Sequence, residues 1–213
     1  MLMEQQRYEL IEYGKRLIDT NLTKGTGGNL SVFDPESKLM AITPSGIPFY
    51  DIQPEDIVIM NLDGEVVEGK RKPSSEWEMH LLQYKHRSDI TAVVHAHTVY
   101  LTVLAVLNQS LPASHYMVAV AGKDVRCAEY ATFGTHELAV NAYEAMKDRK
   151  AVILANHGIL AGSKDLANAF NIIEELEYCA QIHVAALSVG KPVILSDQEM
   201  ELMAQKFQTY GQV

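Results

Sequence analysis

The sequence predicts an α/β fold layered around a largely antiparallel sheet. Long helical stretches and hairpin strands are mixed along the chain without a regular strand–helix–strand rhythm, which argues against a doubly wound nucleotide fold. No G-x-G-x-x-G or Walker pattern follows a predicted strand, so dinucleotide or ATP chemistry has no support. A length of 213 residues suits one domain, 1–213, with a sizeable core.

Residues 4–22 predict an amphipathic helix, with Leu10, Ile11, Gly14, Leu17 and Ile18 on one face, ending at a left-handed cap near Gly25. The loop Gly25-Thr26-Gly27-Gly28-Asn29 follows. Its backbone N–H groups can form an anion-binding nest, although a plain helix-to-strand turn explains the glycines equally simply. Residues 29–34 and 38–43 predict a hairpin, 56–61 a buried strand, and 65–67 a short strand after the Asp63-Gly64 turn. Ser75 and Glu78 have capping-box spacing for a helix whose Trp77, Leu81 and Tyr84 share a face. That helix N-terminus is suited to a phosphate. Glu76 in its first turn has a bland reading, compensation of the helix dipole.

Residues 92–97 predict a strand ending in His95-Ala96-His97. Alternation puts both histidines on one face and Val94 and Ala96 on the other. Tyr100 to Leu107 reads as a buried helix, and 115–121 and 125–128 as short strands. Thr135 is the predicted N-cap of a helix running to about Lys147. Residues 151–155 predict a strand ending in Asn156-His157-Gly158, and 159–162 continue the sheet. A long helix runs from about Lys164 to Val189, capped by Ser163, with His183 on it read as structural. Ser196 to Glu199 forms a capping box for a final helix.

The net charge of −9 argues against nucleic-acid binding and means that an anionic substrate must be held by local positive features. Two cysteines are too few for a disulfide framework and fit a reducing, cytoplasmic compartment. No apolar run of 18 residues points to a membrane, and the N-terminus does not read as a signal peptide. Three histidines, His95, His97 and His157, stand at predicted strand ends. Three imidazoles suit a catalytic metal with an open coordination position. Zinc suits such a set, with manganese and cobalt left open.

The ordered motifs Thr26-Gly27-Gly28-Asn29-Leu30-Ser31, Thr43-Pro44-Ser45-Gly46, Pro73-Ser74-Ser75-Glu76-Trp77, His95-Ala96-His97 and Asn156-His157-Gly158 resemble those of the class II aldolase/adducin family over nearly the whole chain. The segments 112–117, 130–135 and 209–211 resemble its sugar-phosphate aldolases. Asn156 stands where relatives often carry histidine, and Ser45 where threonine is common.

The resemblance implies helices on both faces of the sheet and a Zn²⁺ held by His95, His97 and His157. It makes Glu76 a fourth ligand at rest and the general base once substrate displaces it. It assigns phosphate binding to Gly28, Asn29, Ser45, Gly46, Ser74 and Ser75. It implies a C4 homotetramer in which Tyr116 reaches a neighbouring subunit's site as proton donor, with Phe133 and Tyr210 shaping the aldehyde pocket. The implied reaction is reversible cleavage of L-fuculose 1-phosphate to dihydroxyacetone phosphate and L-lactaldehyde. Epimerisation of L-ribulose 5-phosphate is the alternative, disfavoured because the epimerases typically carry aspartate at the position of Glu76. A non-catalytic adducin-like module and a zinc hydrolase are more distant alternatives: the first need not keep the metal residues, and the second would leave the phosphate loops idle.

Overall fold

The structure, a computed structural model, describes residues 1–207 and Thr209. Its centre is one eight-stranded sheet in the order β4-β3-β2-β1-β5-β8-β7-β6. The strands are β1 (Asn29–Asp34), β2 (Leu39–Ile42), β3 (Val58–Asn61), β4 (Val66–Glu68), β5 (Ala92–Ala96), β6 (Cys127–Ala128), β7 (Ala151–Leu154) and β8 (Gly158–Ser163). All neighbours pair antiparallel except β6 with β7. The helices are α1 (Glu4–Asp19), α2 (Trp77–His86), α3 (Val99–Val106), α4 (His136–Met146), α5 (Leu166–Val189) and α6 (Asp197–Phe207).

The strand period of two divides the apolar residues between two cores. Val94 and Ala96 of β5 face one core, with Leu10 and Leu17 of α1, Leu104 of α3, Phe170 of α5 and Met200 of α6. Val93 faces the other, with Met79 and Leu81 of α2 and Leu138 and Ala142 of α4. Helices therefore cover both faces, as the family resemblance implies.

Local differences from the sequence reading have identifiable causes. Helix α1 ends at Asp19, earlier than predicted. Asn21 takes the left-handed position (φ 58°), and the Leu22 N–H reaches the Leu17 carbonyl while Asn21 N–H reaches Ile18. This is a Schellman ending supplied by asparagine rather than Gly25. Residues 116–120 form a 3₁₀ turn rather than a strand, with the His115 side chain accepting from the Met117 N–H. Helix α5 is capped by Asp165, whose carboxylate accepts from the Asn168 N–H at 2.7 Å, because Ser163 is still the last residue of β8.

The chain start is fixed by one buried cation. Arg7 donates to the carbonyls of Leu2, Pro54 and Ile57 and to the Glu68 carboxylate at 2.6 Å. It thereby ties α1 to the loop before β3 and to β4. We expect Arg7→Met to cost roughly 3 kcal/mol, the low end for a broken buried pair because Glu68 is partly solvated. Thermal unfolding should then fall by roughly 6–12 °C; a fall of less than about 2 °C would show that the clamp is dispensable.

Candidate metal and phosphate site

The site grows from the pairing of β1 with β5. Asn29 lies opposite His95 in the register, so the two side chains share the sheet face that α2 covers. Glycines permit the close approach. Gly28 has φ 79°, and a Cβ there would sit 2.6 Å from the His95 carbonyl oxygen. Gly158 is packed similarly, since a Cβ would meet the Ala96 carbonyl at 2.5 Å and His97 Cδ2 at 3.0 Å. Gly28 thus has a packing reason to be glycine beside any part in anion binding.

His95 ends β5 fully buried. Its Nδ1 donates to the Ile159 carbonyl at 2.8 Å, which turns an unprotonated Nε2 into the site. His97 follows past the strand end, with its Nε2 3.0 Å from that of His95. His157 comes from the tight turn between β7 and β8, where Asn156 adopts φ 55°, a conformation asparagine tolerates well. The ligand nitrogens of all three lie within 4.8 Å of one another.

Glu76 completes the cluster. It is the residue that caps α2, although its side chain makes no capping bond. The carboxylate instead turns inward, with Oε2 3.3 Å from His95 Nε2 and Oε1 3.3 Å from His157 Nε2. The predicted Ser75–Glu78 capping box is absent. Ser74 Oγ accepts the Glu76 N–H at 3.3 Å, and Glu78 is drawn away to His136 at 2.5 Å.

Burial and the proximity of neighbouring rings favour neutral imidazoles at His95 and His97. Desolvation holds His95 well below the ordinary histidine range, and the neighbouring His157 and His97 add to this. His97 is exposed over part of its surface but is also lowered, by desolvation first and then by His157. Neutral nitrogens with converging lone pairs are what a metal requires. The residues fit an ion in a second respect: Glu76 Oε1 is buried and has no hydrogen-bond partner. His95, His97, His157 and Glu76 together offer the imidazole nitrogens and carboxylate oxygen that would hold a divalent ion such as zinc.

Three loops surround the cluster. The Ser45 N–H donates to the Lys72 carbonyl at 3.1 Å and the Ser74 N–H to the Thr43 carbonyl at 3.0 Å. These bonds hold Ser45-Gly46 beside Ser74-Ser75. The loop carrying Phe133 packs on the same turn, where a Cβ on Gly134 would lie 3.0 Å from the Ser75 carbonyl. Phe133 itself is exposed. Tyr116 is also exposed and lines a surface groove of about 1540 Å³ with Met117, Val120, Lys147 and Phe207; no residue of the histidine cluster lines this groove. Tyr210 lies outside the described residues. His183 contacts Ser114 Oγ at 2.9 Å, consistent with a structural role.

Sequence reasoning missed a buried polar chain behind Glu76. Asn29 Nδ2 donates to Glu76 Oε2 at 2.9 Å, and His80 Nε2 lies 2.6 Å from Asn29 Oδ1. Ser31 Oγ lies 2.7 Å from His80 Nδ1 and 2.6 Å from Tyr84 Oη. Burial pushes the His80 pKa down to about 3 and the Tyr84 phenol up. The signal was in the spacing. Asn29 and Ser31 are two apart on a strand, and Glu76, His80 and Tyr84 are four apart on a helix, so each set shares a face.

A model of the family described as Class II Aldolase and Adducin N-terminal domain matches residues 8–184. A 5-deoxy-D-ribulose 1-phosphate aldolase from Bacillus thuringiensis serovar kurstaki is 53% identical over 212 residues, covering 100% of both chains. An L-fuculose phosphate aldolase from Escherichia coli strain K12 is 42% identical over 206 residues, covering 92% of this chain and 94% of the relative. A solved structure titled L-fuculose 1-phosphate aldolase superposes with a TM-score of 0.96 at 66% identity, covering 98% of each chain. The chain belongs to the class II aldolase and adducin family and is a class II aldolase, a carbon–carbon lyase.

The buried neutral histidines set a pH dependence for the apoprotein. His80, His95 and His97 have pKa values below the unfolded value of 6.5. Below that pH the unfolded chain takes up protons that the folded chain does not, so stability falls as pH falls from 6.5 towards 3. Each fully buried ring contributes a slope approaching ~1.4 kcal/mol per pH unit. Urea unfolding of chelator-treated protein should show a loss of roughly 2 kcal/mol between pH 7 and pH 5 from His80, with His95 adding to it in the same direction. An unchanged unfolding free energy would contradict neutral, desolvated rings.

Proposed function

We propose that the protein catalyses reversible, zinc-dependent retro-aldol cleavage of L-fuculose 1-phosphate to dihydroxyacetone phosphate and L-lactaldehyde. The observation that carries this reading is the convergence of His95, His97 and His157 on the Glu76 carboxylate, whose Oε1 has no other partner. The 66% identical structure titled for that activity supports the choice of sugar. A second reading is 5-deoxyribulose 1-phosphate as substrate, favoured by the 53% identical relative that spans the full chain. Both sugars would yield dihydroxyacetone phosphate and a short methyl-bearing aldehyde. They differ in whether that aldehyde also carries a hydroxyl.

In this reading His95, His97 and His157 hold the metal, with Glu76 as fourth ligand before substrate arrives. The bound ion supplies Lewis-acid stabilisation of the negative charge that cleavage leaves on the three-carbon fragment. No Schiff-base lysine is then required. In the synthesis direction Glu76 removes the proton next to the carbonyl, and Tyr116 donates a proton to the incoming aldehyde oxygen. Gly28, Asn29, Ser45, Gly46, Ser74 and Ser75 take the phosphate, using backbone amides, hydroxyls and the positive end of α2. This local cradle is how a protein of net charge −9 accepts a dianion. Phe133 and Tyr210 shape the aldehyde pocket.

The same reading makes the active unit a C4 homotetramer in which Tyr116 serves a neighbouring subunit. The exposure of Tyr116 in a groove apart from the histidine cluster supports this. The chain reads as one domain over 1–213 acting in the cytoplasm. Its two free cysteines are consistent with that compartment, and among the described residues no helix is long and apolar enough to cross a membrane.

The decisive assay is release of dihydroxyacetone phosphate from L-fuculose 1-phosphate and from 5-deoxyribulose 1-phosphate, before and after chelation and zinc re-addition. We expect loss on chelation, recovery with zinc, and a higher kcat/KM for L-fuculose 1-phosphate. A higher kcat/KM for 5-deoxyribulose 1-phosphate establishes the second reading, and inactivity on both refutes the proposal. Glu76→Gln should keep fold and phosphate binding but slow exchange of the dihydroxyacetone phosphate proton with solvent by at least ~100-fold. Near-normal exchange in that variant would remove Glu76 as the base.

A further inference from the structure

We infer that His80 is a positioning residue for the reaction: it holds the Asn29 side-chain amide in the one orientation that lets Asn29 donate to Glu76. This rests on the reading of Glu76 as metal ligand and base. His80 makes no hydrogen bond to the histidine cluster; among the described residues its ring nitrogens lie at hydrogen-bond distance from Ser31 and from the side-chain oxygen of Asn29, whose place in the phosphate loop leaves its amide nitrogen facing Glu76.

The direction of the chain follows from donor and acceptor chemistry. An ionised Glu76 accepts only. Asn29 must therefore present Nδ2 to Glu76 Oε2 at 2.9 Å and Oδ1 to His80 at 2.6 Å. Oδ1 also accepts only, so the His80 proton sits on Nε2. Nδ1 is then an acceptor and takes the Ser31 O–H at 2.7 Å. Ser31 Oγ in turn accepts from the Tyr84 O–H at 2.6 Å, a proton that Tyr84 shares with the Ser31 carbonyl at 3.0 Å. Every donor points towards Glu76.

All five residues are buried. No solvent is at hand to accommodate an inverted amide, which would set Asn29 Oδ1 against Glu76 Oε2, acceptor against acceptor. A fixed chain leaves Oε2 anchored and Oε1 free to face the ion or the substrate proton. His80 thus acts through Asn29 on where the carboxylate sits.

The test compares His80→Leu, His80→Gln and Ser31→Ala in the full-length protein. The readouts are zinc affinity by chelator competition, proton exchange of dihydroxyacetone phosphate with solvent, and thermal unfolding. His80→Leu removes the donor and should weaken zinc affinity and the maximal exchange rate, each roughly 10- to 100-fold. KM for dihydroxyacetone phosphate should change by less than about threefold. His80→Gln keeps one donor and one acceptor in that space and should recover most of both losses. Ser31→Ala frees Nδ1 to take the proton, and should move zinc affinity and exchange in the same direction even if His80→Leu does not fold. Wild-type values in His80→Leu, or in Ser31→Ala where His80→Leu does not fold, overturn the inference. So does a folded His80→Gln that recovers nothing. Should the wild-type protein exchange no proton of dihydroxyacetone phosphate, the aldolase reading fails, and the zinc affinities still decide the role of His80.

Discussion

The antiparallel pairing of β1 with β5 is the constraint on which the site depends. It sets Asn29 opposite His95, on the face that α2 must cover. Glu76, His80 and Tyr84, four residues apart on or at the start of α2, then meet that face in register. A one-residue slip of β1 against β5 would turn Asn29 and Ser31 into the opposite core. It would leave Glu76 without its anchor and His80 without both its partners. The glycines at 28 and 158 belong to the same constraint, because the backbone on either side of β5 approaches too closely for a Cβ. Packing and chemistry are therefore specified by the same few residues.

Electrostatics explains why such a cluster is placed at a strand end rather than on the surface. His95 and His97, desolvated beside a third imidazole, are held towards the neutral form, and neutral nitrogens are ready ligands. A carboxylate beside them, with one oxygen anchored by Asn29 and the other unpartnered, supplies the anionic fourth group. In the apoprotein this arrangement costs stability at acid pH, and an ion that binds only the folded state offsets that cost. Asn29, His95, His157 and Ser74 all meet Glu76 at the start of α2, where free amides and the dipole favour negative charge.

Much of this was legible in the sequence. The period-two placement of His95 and His97, the strand-end position of His157 and the glycine-rich loop can each be read from residue type and spacing. What was not legible was partnership. From its own helix Glu76 reads as ordinary compensation of a helix dipole, and the family resemblance alone joined it to histidines some 20 and 80 positions away in the sequence. The apparent Ser75–Glu78 capping box failed for the same reason: His136, from a distant helix, captures Glu78. Local pattern gave the helix and missed the competitor. Residues 115–121 were misread as a strand because apolar alternation over so few residues does not distinguish a strand from a 3₁₀ turn capped by His115.

The architecture also separates what is fixed from what is free to vary. His95 and the Asn29–His80–Ser31–Tyr84 chain lie on paired strands and a helix packed into a core, where any change disturbs several buried groups at once. Phe133 is exposed on a loop whose Gly134 packs against Ser75. Tyr116 is likewise exposed, at the start of a 3₁₀ turn whose Val118 and Ala119 are buried. Segments of that kind can change without breaking the core. Relatives named for different sugar phosphates, at 53% and 42% identity over nearly the full chain, share the family and differ in the sugar their names give. Fold and family therefore define the reaction class more tightly than the sugar.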